Sequence, residues 1–279
     1  MKHKLKGSLL FILSISLFIA SCHKENTSFD YNMAIETVSD YVDTQQMTNL
    51  LLNTYFKSIT DSTLITDGIA EIDGADVNYS ADPAIITILY SWAKYDSYGH
   101  LRKGKYEAST ESSFFDSLAI ININFSNFFY DSSAISVGNF SIENMGTTTN
   151  NNYLFKVEAT DILIKYHDST GNISYQVEQN YLRVKNPSTP YHTNDDYFRI
   201  SGNMTGIARN NNSFTSSTQD TNNLLVYYSC PWIKGGTAEI ELPGFIYNAS
   251  VDFFNDGECR NHYSIITNET LFLKKFDPE

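Results

Sequence analysis

A mainly β protein with a short N-terminal helical region is what this sequence predicts, and three observations predict it. Apolar and polar residues alternate with period two in several stretches. The breaks between those stretches are short and rich in Asp, Asn, Ser and Gly, as hairpin turns require. Only one long segment, about 31–60, carries helical spacing instead. Parallel strands would need helical crossovers between them, and none is visible. The expected arrangement is therefore a meandering antiparallel sheet assembly, elongated or sandwich-like.

In chain order, Lys2, Lys4 and Lys6 form a positive start, and Leu9 to Ala20 is an apolar run interrupted only by Ser14 and Ser16. Small residues, Ala20 and Ser21, precede Cys22. This is the layout of an export signal over 1–21, and the run is shorter than the roughly 20 apolar residues of a membrane span. Ile19-Ala20-Ser21-Cys22 looks like a bacterial lipobox. That resemblance implies acylation of Cys22, which holds a chain stably at a membrane when more than one acyl group is attached. An ordinary cleaved signal with an incidental cysteine is the alternative. Residues 22–30 read as acylated cysteine and polar tether, 31–66 as a helical lead-in, and 67–279 as the antiparallel β-domain.

Within the lead-in, Ile35, Val38 and Val42 fall at helical spacing, as do Met47, Leu51 and Tyr55. Asp43 and Thr44 offer a cap, which predicts a broken helix or two short ones. Asp67-Gly68 and Asp73-Gly74 are turn dipeptides. Strands are predicted at Ala84 to Trp92, around Ile121-Ile123-Phe125, around Ile162-Ile164, around Ile173-Tyr175-Val177 and around Ala238-Ile240-Leu242. Turns are predicted at Asp131-Ser132-Ser133, Asp168 to Gly171 and Asn210-Asn211-Asn212.

The charge balance excludes some functions. The chain carries 19 Lys and Arg against 32 Asp and Glu, for a net charge of −13. Loss of 1–21 removes three lysines and takes the charge to −16. Nucleic acid is not an expected partner, because its phosphates demand basic neutralisation. Anionic lipid is not expected to attract the chain electrostatically either.

The residues offer little enzyme chemistry. No HExxH, GxSxG, phosphate-loop or dinucleotide motif occurs. His23, His100, His167, His192 and His262 are scattered and read as solvated loop histidines. Cys230 and Cys259 remain once Cys22 is acylated, and in an oxidising compartment they read as a disulfide, with two buried thiols as the alternative. Cys259 and His262 as a nucleophile and base are a weaker reading. Asp195-Asp196 and the group Asp252, Asp256, Glu258 could take Ca²⁺, yet turn chemistry explains them without a metal. No metal site or cofactor is expected. Among the aromatics, Tyr228 and Trp232 are the candidates for facing a ligand; core packing is the competing role for such rings.

From about Gly99 onward the chain resembles a group of Bacteroidetes-type surface or envelope lipoproteins. The pieces that carry the resemblance are RKGKYEAST (Arg102 to Thr110), INFSNFFYDSSAISVGNFSIENMG (Ile123 to Gly146), DDYFRISGNMTG (Asp195 to Gly206), YYSCPWIKGGTAEI (Tyr227 to Ile240) and DFFNDGECRNHYSII (Asp252 to Ile266). Two departures stand out: Arg260 replaces an acidic residue, and Tyr181 to Val184 lacks tryptophan. The resemblance implies an all-β lipoprotein of the outer membrane and no established activity. The expected function is a non-enzymatic structural or binding component, membrane-held through Cys22 and engaging a glycan or another envelope protein. A glycan-binding module is the first alternative, and a hydrolase with an unrecognised site the second.

Overall fold

A computed structural model describes residues 30–96, 99–167, 170–185 and 195–276, with the side chain of Trp92 excepted. The export segment, Cys22, His23 and His192 lie outside the described residues. From Tyr31 onward the chain forms one unit. The boundary expected at 66/67 falls within this unit, near the end of the helical region.

Helix α1 (Tyr31–Thr60) is continuous for 30 residues. The break predicted at Asp43-Thr44 does not occur. Thr44 Oγ1 donates back to the Tyr41 carbonyl (2.7 Å), so the residue that could have capped a new helix is satisfied inside the old one. The same back-bonding serves Thr37, Thr48, Ser58 and Thr60. Every residue from Thr44 to Phe56 is buried. A helix enclosed on all sides has no single apolar stripe, which is why its burial could not be read from spacing. Helix α2 (Ser62–Asp67) follows, capped by Asp61 Oδ1 on the Leu64 amide (2.7 Å) and closed by Gly68 in the left-handed region.

Among the described residues the sheath around α1 is one antiparallel sheet of 17 strands. It begins with β1 (Ile69–Ile72), β2 (Ala75–Ala81), β3 (Ala84–Tyr95), β4 (Leu101–Thr110) and β5 (Ile120–Tyr130). Next come β6 (Ser133–Ser136), β7 (Asn139–Thr147), β8 (Tyr153–Lys165), β9 (Asn172–Val184) and β10 (Tyr197–Ile207). It ends with β11 (Ser213–Thr218), β12 (Leu224–Tyr227), β13 (Ile233–Gly235), β14 (Thr237–Glu241), β15 (Ala249–Asp252), β16 (His262–Thr267) and β17 (Thr270–Lys275). Neighbours in sequence pair in turn from β1 to β5. β5 then pairs with both β6 and β7, and β8 receives both. β8, β9 and β10 follow in order, and β10 splits between β11 and β12. The path closes through β11–β14 and the run β14 to β17.

The predicted turns at Asp131-Ser132-Ser133 and Asn210-Asn211-Asn212 sit where expected, while Asp168 and Ser169 of the third lie outside the described residues. Asp73-Gly74 joins β1 to β2 with both residues at positive φ, the geometry a two-residue hairpin needs. The predicted strands are present too, but two carry a shift in phase. In β5 the buried set is Ile121 and Ile123 before Asn127, then Phe128 after it. Asn127 sits at φ 47 opposite Gly104, where a Cβ would lie 2.0 Å from the Asn127 carbonyl oxygen. Only glycine allows that approach, and the resulting bulge turns Phe128 inward. Asp161 does the same in β8, so that Ala159 and Ile162 both face the core.

The core has an aromatic cluster at the C-terminal half of α1. Phe56 meets Phe198 (4.6 Å) and Phe155 (4.8 Å) between ring centroids. Beside it runs a polar seam. Gln45 and Gln179 exchange hydrogen bonds (2.7 and 3.2 Å), Tyr181 donates to Asn49 (2.9 Å) and Thr48 meets the Tyr175 hydroxyl (3.2 Å). Burying these groups is tolerable because most of them satisfy one another, Asn49 Nδ2 being the exception.

Candidate functional site

Asp40, Asp43 and Met47 lie on one face of α1, three and four residues apart. The strand-joining turns bring the rest. His100 lies between β3 and β4, Asp131 between β5 and β6, Tyr166 after β8, Arg209 between β10 and β11, and Trp232 between β12 and β13. Phe276 follows β17. Together with Asp43 and Met47 they line a cleft enclosing ≈ 70 Å³, about the space of two water molecules.

One wall is built on His100, which is only 6 % exposed. Its Nδ1 lies 3.1 Å from Asp131 Oδ2. An ionised carboxylate can only accept, so Nδ1 carries the proton in this pair and, when the ring is neutral, Nε2 is left as an acceptor. Asp131 is fixed by its other oxygen, which accepts from the Leu101 amide (2.8 Å). The His100 amide donates to Asp96 Oδ1 (2.9 Å), and Asp96 Oδ2 meets Arg102 Nη2 (2.6 Å) in a fully buried ion pair. The ring stacks on Tyr130 (4.9 Å) and meets Trp232 edge-on (6.0 Å). His100 is therefore a packed, paired residue and not the solvated loop histidine predicted. The turn Asp131-Ser132-Ser133 folds a carboxylate back over it. His167 is exposed as expected.

The facing wall is built on Arg209. Its amide donates to Asp40 Oδ2 (2.7 Å) and its side chain to Asp40 Oδ1 (Nη2 2.6 Å, Nε 2.8 Å). Asp43 Oδ2 lies 3.9 Å from Nη2, and the guanidinium lies 4.7 Å from the Tyr166 ring centroid. Burial pushes the Asp40 carboxyl up, against the pull of the Arg209 hydrogen bonds and charge.

The floor holds Trp232, half-buried and stacked nearly parallel on Phe276 (5.1 Å, 18°). Gln46 donates to the carbonyl of Pro231 and ties the loop before Trp232 to α1. Cys230 and Cys259 hold the same loop from the other side as a disulfide, with Cα atoms 5.7 Å apart. The expected staple is present, and the reading of Cys259 as a nucleophile falls with it.

Tyr228, predicted as a possible ligand-facing aromatic, is in the core instead, at 3 % exposure. Its ring packs edge-on against Phe198 (5.5 Å) and beneath Arg183 (5.8 Å). Tyr227 takes the outward side of that strand and stacks on Tyr197 (4.8 Å), since adjacent residues of a strand point to opposite faces. The carboxylates considered for Ca²⁺ have other partners. Asp196 accepts twice from Arg183 (2.6 and 3.0 Å), and Arg260 engages both Asp256 (3.0 Å) and Glu258 (2.8 Å). Asp252 accepts from the Phe254 amide (2.9 Å). Among the described residues no group of three or more His, Cys, Asp or Glu side chains is placed to hold a metal ion.

Comparison with family models, with curated proteins and with solved structures finds no match. What the cleft can do rests on its own chemistry. It offers an aromatic floor, one carboxylate on α1 (Asp43), a histidine oriented by a carboxylate and a guanidinium largely neutralised by the buried Asp40. Such a set suits a neutral, hydroxyl-rich group better than a free anion. Of these residues only Trp232 was singled out in the sequence. Asp40 carries a faint signal, as an acid placed among Val38, Tyr41 and Val42.

Proposed function

We infer that this chain is an exported, lipid-anchored, non-enzymatic component of the outer membrane that binds its ligand at the Trp232 cleft. The export segment with its Ile19-Ala20-Ser21-Cys22 ending, and the resemblance to envelope lipoproteins, support the address and the anchor. One observation carries the binding half: the half-exposed Trp232 ring lies flat on Phe276, with the His100–Asp131 and Arg209–Asp40 pairs on either side. A flat ring rimmed by fixed donors and acceptors is how proteins hold a sugar, whose faces are apolar and whose edges are hydroxyls. The enclosed space is small, so a single sugar edge would enter while the rest lay across the ring.

Glycan-array binding by the chain lacking 1–22 tests this, with Trp232→Ala as the control. Binding that Trp232→Ala reduces at least about tenfold, equivalent to about 1.4 kcal/mol, supports a glycan-binding module. Binding unaffected by that change moves the ligand elsewhere. Cleavage of a bound glycan would move the reading to a hydrolase, with His100 and Asp131 the first residues to change.

A further inference from the structure

The last hairpin of the sheet presents apolar side chains to the outside. Leu271 and Leu273 of β17 are 61 % and 63 % exposed, and Leu271 is directly opposite the exposed Ile266 of β16. Residues 271 and 273 share one face of the strand, so the three side chains form a continuous surface. The loop before β15 extends it. Asn248 accepts from Thr267 Oγ1 (2.9 Å) through its carbonyl, which places the loop carrying Ile246, 62 % exposed, beside the end of β16. Among the described residues the ladder of β17 is with β16, so this face lies at the margin of the sheet.

The same hairpin touches the first residue of α1. Tyr31 Oη accepts from Asn268 Nδ2 (2.6 Å), and the Tyr31 ring meets Phe272 (5.8 Å) on the opposite face of β17. The apolar surface is thus set where the chain comes in from Cys22. Eight residues, 23 to 30, separate Cys22 from Tyr31, and the nine steps between them reach at most about 32 Å when fully extended. That is shorter than the ~45 Å length of α1 itself. A body tethered so closely has to turn its Tyr31 side to the membrane.

We propose that Ile266, Leu271, Leu273 and Ile246 form a membrane-docking surface that inserts at the boundary of headgroups and acyl chains when the protein is anchored. This rests on the acylation of Cys22. The occupant is a lipid bilayer because of the tether's reach, and contact is apolar rather than electrostatic. Lys274 and Lys275 flank the patch, but Glu269 stands in its turn and the chain as a whole is acidic. Exposed apolar clusters at such a margin otherwise serve protein contacts, and a second copy of the chain is the outcome to be distinguished.

The experiment uses the full chain matured in a host that acylates lipoproteins, with the N-terminus identified by mass spectrometry. It is reconstituted into phosphatidylcholine–phosphatidylethanolamine vesicles with or without brominated acyl chains, which quench nearby tryptophan. Two variants each add one tryptophan, Leu271→Trp in the patch and Ile120→Trp at an exposed position on β5. The proposal expects several-fold stronger quenching of the added emission for Leu271→Trp than for Ile120→Trp, little changed by salt. Equal or absent quenching on an acylated chain overturns the docking surface and leaves the anchor standing. A concentration-dependent dimer in vesicle-free protein that Leu271→Glu dissociates, without quenching on vesicles, assigns the patch to a second copy and overturns it as well. An unacylated N-terminus overturns both the anchor and the docking surface, and the mass identifies that case.

Discussion

The two halves of α1 face opposite environments. From Met47 onward the helix presents Leu50, Leu51, Leu52, Tyr55, Phe56 and Ile59 to the sheet, and rings close around Phe56. Before Met47 it presents Asp40, Asp43, Thr44, Gln45 and Gln46, and the sheet answers with Arg209, Gln179 and the carbonyl of Pro231. The later half is held mostly by area removed from water, with Thr48, Asn49, Asn53 and Thr54 buried in it as well; the earlier half adds to buried Val38, Tyr41 and Val42 a set of polar groups that must find partners. The later half tolerates no ligand; the earlier ends in a cleft. Stability and recognition are thus separated along one helix, and each can be perturbed with limited cost to the other.

The largest effect is expected from pH, and it reaches both halves. Burial pushes the Tyr175 hydroxyl up to about 12 and raises those of Tyr41, Tyr55, Tyr106, Tyr181 and Tyr228 as well. The unfolded chain ionises its tyrosines near pH 10. Stability from these residues is therefore complete below about pH 10 and lost as pH rises towards the folded values. Tyr175 alone accounts for about 3 kcal/mol of that loss. Phenolate absorbance and far-ultraviolet circular dichroism, followed together above pH 10, should change in one cooperative step; ionisation of all tyrosines without unfolding would contradict their burial.

Truncation in the packed half comes next. Phe56→Ala should cost about 3–5 kcal/mol in denaturant unfolding, through lost transfer energy and the cavity left among Phe155 and Phe198. Glycan binding at the cleft should survive in the fraction that stays folded. Removing the disulfide with Cys230→Ser and Cys259→Ser together should cost roughly 3–4 kcal/mol in the chain-entropy view. This change crosses the comparison, because the loop it releases carries Trp232, and weaker ligand binding should accompany the lower melting temperature.

The polar half yields smaller stability effects and larger binding ones. Asp40→Asn should cost about 1–3 kcal/mol, because Arg209 loses its charged partner while both side chains stay in place. Its clearest readout is altered ligand affinity measured by calorimetry at constant fold. Trp232→Ala should be the mildest, at about 1 kcal/mol for the lost ring contact with Phe276. If Trp232→Ala destabilised the protein as much as Phe56→Ala, the division between a packing half and a recognition half would not hold.

Much of the fold was legible because strand alternation and turn chemistry are local. The Asp73-Gly74 hairpin, the Asp131 and Asn210 turns and the inward sets of β3, β9 and β14 follow from neighbours in sequence. The bulges at Asn127 and Asp161 were not legible, because an extra residue shifts the phase without leaving a composition signal. The cleft was less legible still. Composition marks Trp232 and Tyr228 alike as candidates, but only the structure shows that the Tyr228 ring points inward. His100 looked solvated because its partner, Asp131, comes from another hairpin 31 residues away.

By itself the sequence determined the class of the fold, the hairpin order, the acidic surface charge and the cysteine pair available for a staple, since each depends on residue type or on short-range spacing. Tertiary structure alone decided that α1 would run unbroken through the middle of the sheet. A buried helix draws its stability from contacts on every side, so the local stop signal at Asp43-Thr44 was overruled. It also decided which charges would meet, because Arg209 and Asp40 are 169 residues apart and only the curl of the sheet around the helix brings them within 2.6 Å.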